Sequence, residues 1–163
     1  MDSVIVANLN ISDTTSSTNF GYGIRASTCD SVAVINCGFR GRSVGFEGNQ
    51  GRDYSILNSN FGDNRSSAIN LFTVNALDLP RGILLNGNTF DRGGTGIYFF
   101  RTPPQIISNG SYPNTNVTLD SLSLRNFTTY AMRLDDVDST IISNLDLSNP
   151  DTVSKSSAIL FQD

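Results

Sequence analysis

The sequence predicts an all-β fold of short strands wound into stacked coils, and three observations point there. Asn, Ser, Thr and Gly make up 67 of the 163 residues, while the chain has one Lys and one Glu. Turn and strand formers are therefore abundant and strong helix formers scarce. A six-residue pattern recurs along the chain, reading apolar, any, Asn, any, any, bulky apolar. Each copy is followed by a second pattern, reading small, apolar, any, usually apolar.

In chain order the first pattern appears as Val6-Ala7-Asn8-Leu9-Asn10-Ile11, Val34-Ile35-Asn36-Cys37-Gly38-Phe39, Ile56-Leu57-Asn58-Ser59-Asn60-Phe61 and Leu85-Asn86-Gly87-Asn88-Thr89-Phe90. Two looser copies follow, Leu119-Asp120-Ser121-Leu122-Ser123-Leu124 and Ile142-Ser143-Asn144-Leu145-Asp146-Leu147. The closing residues stand 22 to 34 positions apart. The second pattern appears as Gly23-Ile24-Arg25-Ala26, Gly45-Phe46-Glu47-Gly48, Ala68-Ile69-Asn70-Leu71, Gly96-Ile97-Tyr98-Phe99, Ala131-Met132-Arg133-Leu134 and Ala158-Ile159-Leu160-Phe161.

A variable period excludes stacked helical hairpins, which keep nearly constant repeat lengths. Here β-type runs of three to six residues recur and only the connections change length. That is the pattern of coils whose corresponding strands pair in parallel while loops bulge outward. Period-two alternation turns Ile24, Phe46, Ile69, Ile97, Met132 and Ile159 inward and puts Arg25, Glu47, Asn70, Tyr98, Arg133 and Leu160 in one outward row. The Asn in the first pattern marks a sharp turn, because Asn tolerates the left-handed conformation and Gly87 replaces it freely. These Asn are read as structural, with side chains placed to stack as a ladder. The main insertions fall at 12–20, 101–116 and 149–157.

The Val-Ile-Asn-x-x-Phe and Gly-Ile-x-Phe runs resemble the repeats of the pectin-lyase-like superfamily, most closely those of bacteriophage tailspikes. The resemblance covers residues 4 to 161. It implies one domain over 1–163, a single-stranded right-handed parallel β-helix of about six coils. In that family the strand matching Gly96-Ile97-Tyr98-Phe99 floors a saccharide groove, and the adjoining turns wall it. The resemblance therefore implies binding and cleavage of a surface polysaccharide by a depolymerase, hydrolase or lyase, located in a virion tail or outside the cell. The same repeat also serves non-catalytic shafts and adhesins, which is the competing reading. The polygalacturonase-like set of Asn-x-Asp, Asp-Asp and Gly-His-Gly is not intact here.

The outward row mixes acid, amide, phenol and guanidinium, chemistry suited to a polyhydroxylated ligand. Arg25, Asn70, Tyr98 and Arg133 are the expected substrate-binding residues, together with Arg92. The turn after the first pattern adds Arg40, Arg42, Asp63, Arg65, Asp91, Arg92 and Arg125 as an expected wall of the same groove. Hydrolysis requires two carboxyl groups, and Glu47, Asp63 and Asp91 are the expected catalytic carboxylates. A lyase would instead draw on Tyr98 and Arg133. Asp135, Asp136 and Asp138 form an acidic cluster read as solvent-facing, and no metal or cofactor is expected.

Histidine is absent, which excludes Ser-His-Asp and Cys-His catalysis within the chain. Cys29 and Cys37 match no metal-ligand or redox motif and are read as two buried free thiols. A net charge of −4 with pI near 4.6 argues against nucleic acid as a partner. No apolar run reaches the ~20 residues of a membrane-spanning helix, so membrane insertion is not expected. The first residues lack the basic and apolar regions of a signal peptide. The sequence opens in one strand and closes after another, which leaves the core uncovered at both ends of a stack. The expected partners are therefore two identical chains, making a homotrimer, or flanking segments of the same protein.

Overall fold

The computed structural model describes residues 3–13, 21–73, 81–101, 116–135, 137, 139–148 and 158–162. The insertions at 14–20, 102–115 and 149–157, with Asp136 and Asp138, lie outside the described residues. Among the described residues the strands are β1 (Val4–Ala7), β2 (Asn10–Ser12), β3 (Tyr22–Ser27), β4 (Asp30–Ile35), β5 (Gly38–Arg40), β6 (Val44–Asn49), β7 (Arg52–Leu57), β8 (Asn60–Thr73), β9 (Ile83–Asn86), β10 (Thr89–Arg101), β11 (Val117–Asp135), β12 (Thr140–Ser148) and β13 (Ile159–Gln162). The fold is all-β, as expected. No helix is long and apolar enough to cross a membrane among the described residues.

Every pairing between these strands is parallel, and up to β10 no strand pairs with its neighbour in sequence, whereas β10 pairs with β11 and β11 with β12. One ladder runs β1–β4–β7–β9–β11–β12. A second runs β2–β5–β8–β10–β11–β12. The third runs β3–β6–β8–β10–β11–β13. Four strands are longer than the expected three to six residues: β8 has 14, β10 has 13, β11 has 19 and β12 has 9. β11 and β12 run unbroken from the first ladder into the second, and in β8, β10 and β11 the strand also continues through the corner between the second and third ladders. There Gly93 registers with Asn64 and with Phe127, so pairing continues through the bend with only a register shift before Thr95.

The third position of the first pattern is left-handed in all six copies. Its φ values are 58° at Asn8, 53° at Asn36, 50° at Asn58, 65° at Gly87, 54° at Ser121 and 49° at Asn144. The expected amide ladder is only partial. Asn36 Nδ2 donates to Asn8 Oδ1 at 3.4 Å, but higher up the contacts converge on Asp120, which accepts from Ser143 Oγ, Asn144 Nδ2 and Asn86 Nδ2. The bonds from Ser143, foremost, and from Asn144 hold the Asp120 carboxyl below its ordinary range.

The core runs between the ladders. The residues closing the first pattern form a column in which the Phe39 and Phe61 rings stack at 4.8 Å and those of Phe61 and Phe90 at 5.1 Å. That column explains why the second pattern opens on a small residue. A Cβ on Gly45 would lie 2.6 Å from the Phe61 ring, and one on Gly23 would lie 2.6 Å from the Phe39 ring. The expected inward row is present. Phe46, Ile69, Ile97 and Met132 are fully buried, while Ile24 and Ile159, in the outermost strands, are partly buried. Cys29 and Cys37 are free; Cys37 is buried, whereas Cys29 is only partly so.

One corner of the interior is polar. Asn88 Oδ1 accepts from the Ser59 N–H at 2.9 Å, and its Nδ2 donates to the Ile56 carbonyl at 2.7 Å. Ser59 Oγ in turn accepts from the Cys37 N–H at 3.1 Å. Buried backbone groups at the turn thus find side-chain partners.

Candidate functional site

The expected outward row is continuous in the register. Arg25 pairs with Glu47, Glu47 with Asn70, Asn70 with Tyr98, Tyr98 with Arg133 and Arg133 with Leu160. Parallel strands advance ~4.8 Å per step, so successive members are neighbours. A second outward position follows two residues along, where Ser27 pairs with Asn49, Asn49 with Phe72, and Phe72 with Phe100.

The two positions together build an aromatic platform. Phe72 and Phe100 stack at 5.2 Å and 11°, and Tyr98 stacks on Phe100 at 4.6 Å and 27°. The Arg133 guanidinium lies 4.9 Å over the Tyr98 ring. It is fixed there by Asp135, with Nε donating at 3.0 Å and Nη2 at 2.9 Å, and by Gln162 at 3.1 Å. Phe72 and Phe100 are absent from the residues expected from sequence. The legible signal was their position two residues after Asn70 and Tyr98, which puts them on the same face. Burial pushes the Tyr98 hydroxyl above its ordinary range, against the pull of Arg133. That opposes its use as a base at neutral pH.

Glu47 occupies the row but not the solvent. It is 3% exposed, which corrects the expectation of a fully exposed row. Arg25 Nε stands 2.8 Å from its carboxylate, Asn70 Nδ2 approaches at 3.5 Å, and Arg25 itself lies 5.0 Å over the Tyr22 ring. These neighbours cover the carboxylate. Burial raises its pKa above 4.5, while Arg25, Asn70 and Tyr22 pull it back.

The raised pKa has a consequence for stability. Native Glu47 binds its proton more tightly than unfolded Glu47, so its contribution is full below the unfolded value and lost as pH rises through the folded one. The unfolding free energy of the wild type minus that of Glu47→Gln is therefore expected to fall from about pH 4 to pH 7. Urea titrations at intervals across that range measure it, and a flat or rising difference would refute the assignment.

The remaining candidates gather elsewhere. Asp63 and Arg92 sit at left-handed turn positions, with φ of 54° and 59°. Asp63 accepts from Arg40 at 2.8 Å and Arg92 at 3.1 Å. Asp91 lies 3.4 Å from the same Arg92 Nε and accepts from Asn126 Nδ2 at 2.8 Å. Arg125 pairs with Asp146 at 2.9 Å, and Arg42 stands 3.8 Å from Asp13. Asp91 registers with Gly62, and Gly62 with Arg40, on the β2–β5–β8–β10 ladder. The structure thus brings Asp63 and Asp91 together on one guanidinium. The register neighbours of Glu47 are Arg25 and Asn70 instead. No group of three or more His, Cys, Asp or Glu side chains able to hold a metal occurs among the described residues.

Comparison of the chain with protein-family models, with curated proteins and with solved structures finds no match.

Proposed function

We propose that this chain is a right-handed parallel β-helix of about six coils whose outer face binds an extended surface polysaccharide, in the manner of a bacteriophage tailspike assembled as a trimer. The observation that carries the reading is the stacking of Phe72, Phe100 and Tyr98 on an outward face that is otherwise mostly polar. Contiguous half-buried rings on a sheet exterior supply flat apolar surface for the C–H faces of sugars. The flanking Arg25, Asn70 and Arg133 supply forked hydrogen bonds to hydroxyls. The row spans several ~4.8 Å steps, long enough to contact successive sugar units.

Binding is better supported than cleavage. Inverting hydrolysis uses carboxyl groups ~6.5–9.5 Å apart and retaining hydrolysis ~5–5.5 Å; the groups registered beside Glu47 are a guanidinium and an amide, and Asp63 and Asp91, which share Arg92, are both taken up in ion pairs. A panel of bacterial capsular and O-antigen polysaccharides, read by calorimetry and by a reducing-end assay, tests the proposal. The expected result is binding to at least one glycan, weakened about tenfold by Tyr98→Ala and by Phe100→Ala, with no new reducing ends. Reducing ends lost in Glu47→Gln or Asp91→Asn would establish a depolymerase instead. Binding untouched by either aromatic substitution would remove the platform from the site, and no binding at all would favour a structural shaft.

A further inference from the structure

We propose a second binding site on the outer face of the β2–β5–β8–β10 ladder: a hollow over Gly62 that takes one neutral, hydroxyl-rich ring of the size of a single sugar. The hollow measures about 350 Å³, within the range of small-ligand sites. Arg40 and Asp91 stand on either side of Gly62 in the register. Asn10, Asn60 and Thr89 line the neighbouring outward row.

The floor of this hollow has no explanation in the fold. Gly62 is not in the left-handed region, and a Cβ there would meet nothing nearer than 3.8 Å, at Arg40 Cγ and the Asp91 carbonyl. Gly38 on the same face is different, because a Cβ there would run into the Asn10 amide. Glycine inside a strand weakens it through backbone entropy and lost packing. Position 62 therefore carries a cost that neither backbone geometry nor crowding demands. Its effect is an open floor between a guanidinium and a carboxylate.

The charges select the ligand. Arg40 is already paired with Asp63, and Asp91 is held by Asn126 and Arg92. A charged ligand would have to displace one of these partners. A neutral ligand needs only the lone pairs and N–H groups they leave over, and adjacent hydroxyls match a carboxylate and a guanidinium fork. Strands β8 and β10 carry the aromatic platform further along their length, so the two sites are separate.

The test is titration of the isotope-labelled full chain with glucose, galactose, mannose and N-acetylglucosamine, following the amide resonances of Arg40, Gly62 and Asp91. At least one sugar is expected to shift them saturably. Gly62→Thr, which fills the floor with a strand-favouring residue, is expected to weaken that binding at least tenfold without lowering the thermal midpoint. Gly62→Ala serves if the threonine variant fails to fold, with a smaller loss expected. Shifts that survive both substitutions, a preference for phosphate or glycine over the sugars, or no saturable shift would each overturn the proposal. Failure of the wild type to bind any polysaccharide would instead overturn the platform reading while leaving these shifts in place.

Discussion

Phe61→Ala is expected to lower the free energy of unfolding by about 3–5 kcal/mol. Phe61 is 2% exposed and is the middle ring of the Phe39–Phe61–Phe90 column. Its loss removes two stacking contacts and the surface against which Gly45 packs. The gap cannot close easily, because Phe39 and Phe90 are carried by strands that pair with β8 on either side. Since domains of this size are stable by only about 5–15 kcal/mol, the variant is expected to sit near the edge of folding. In the proposed coil architecture, where each layer touches only its neighbours, the damage also uncouples the layers on either side of Phe61. Urea denaturation of Phe61→Ala and Phe61→Leu measures it, with leucine expected to recover a large part of the loss. A change below about 1 kcal/mol for alanine would mean that the column is not a close-packed core.

The parts of this architecture visible in the sequence are those fixed by one residue's own conformation or by strict alternation. The third position of the first pattern is left-handed in every copy, and Asn, Gly and Ser are residues that such a position admits. The row from Arg25 to Leu160 followed from period two and from counting residues after a small one. The rest depends on what neighbouring layers bring. Glu47 is buried because Arg25 and Tyr22, from the layer below, cover it. Phe72 and Phe100 fall just past the repeated pattern, and their meeting requires β8 and β10 to stay in register through the corner bend. Asp91 belongs to a different face from Glu47 because of that same bend, where Asp63, Arg92 and Asn126 take left-handed φ values of 54°, 59° and 62°, and Asp63 and Arg92 do not mark a turn in the sequence as the Asn of the first pattern does. The merging of the expected short runs into β8, β10 and β11 has the same origin.

Asn88→Ala is expected to cost about 1–3 kcal/mol, because it leaves the buried Ser59 N–H without its partner and removes one bond from the Ile56 carbonyl. The equivalent position in the next two copies is Leu122 and Leu145, which register with each other. Leucine at 88 therefore separates the two explanations. If Asn88 is present to fill space, Asn88→Leu is expected to be close to neutral. If it is present to satisfy the turn, leucine leaves the same N–H bare and costs about as much as alanine, since an unpaired buried polar group carries about 1–3 kcal/mol. The hydrogen-bond account predicts the second outcome. It also predicts that the Ser59 amide loses its protection from hydrogen exchange in both variants, while the Asn58 amide, which donates to the Asn86 carbonyl, keeps its own. Equal protection at Ser59 in wild type and Asn88→Leu would show that another group takes over the bond. The polar corner would then be a tolerated substitution in an apolar core rather than a requirement of the turn.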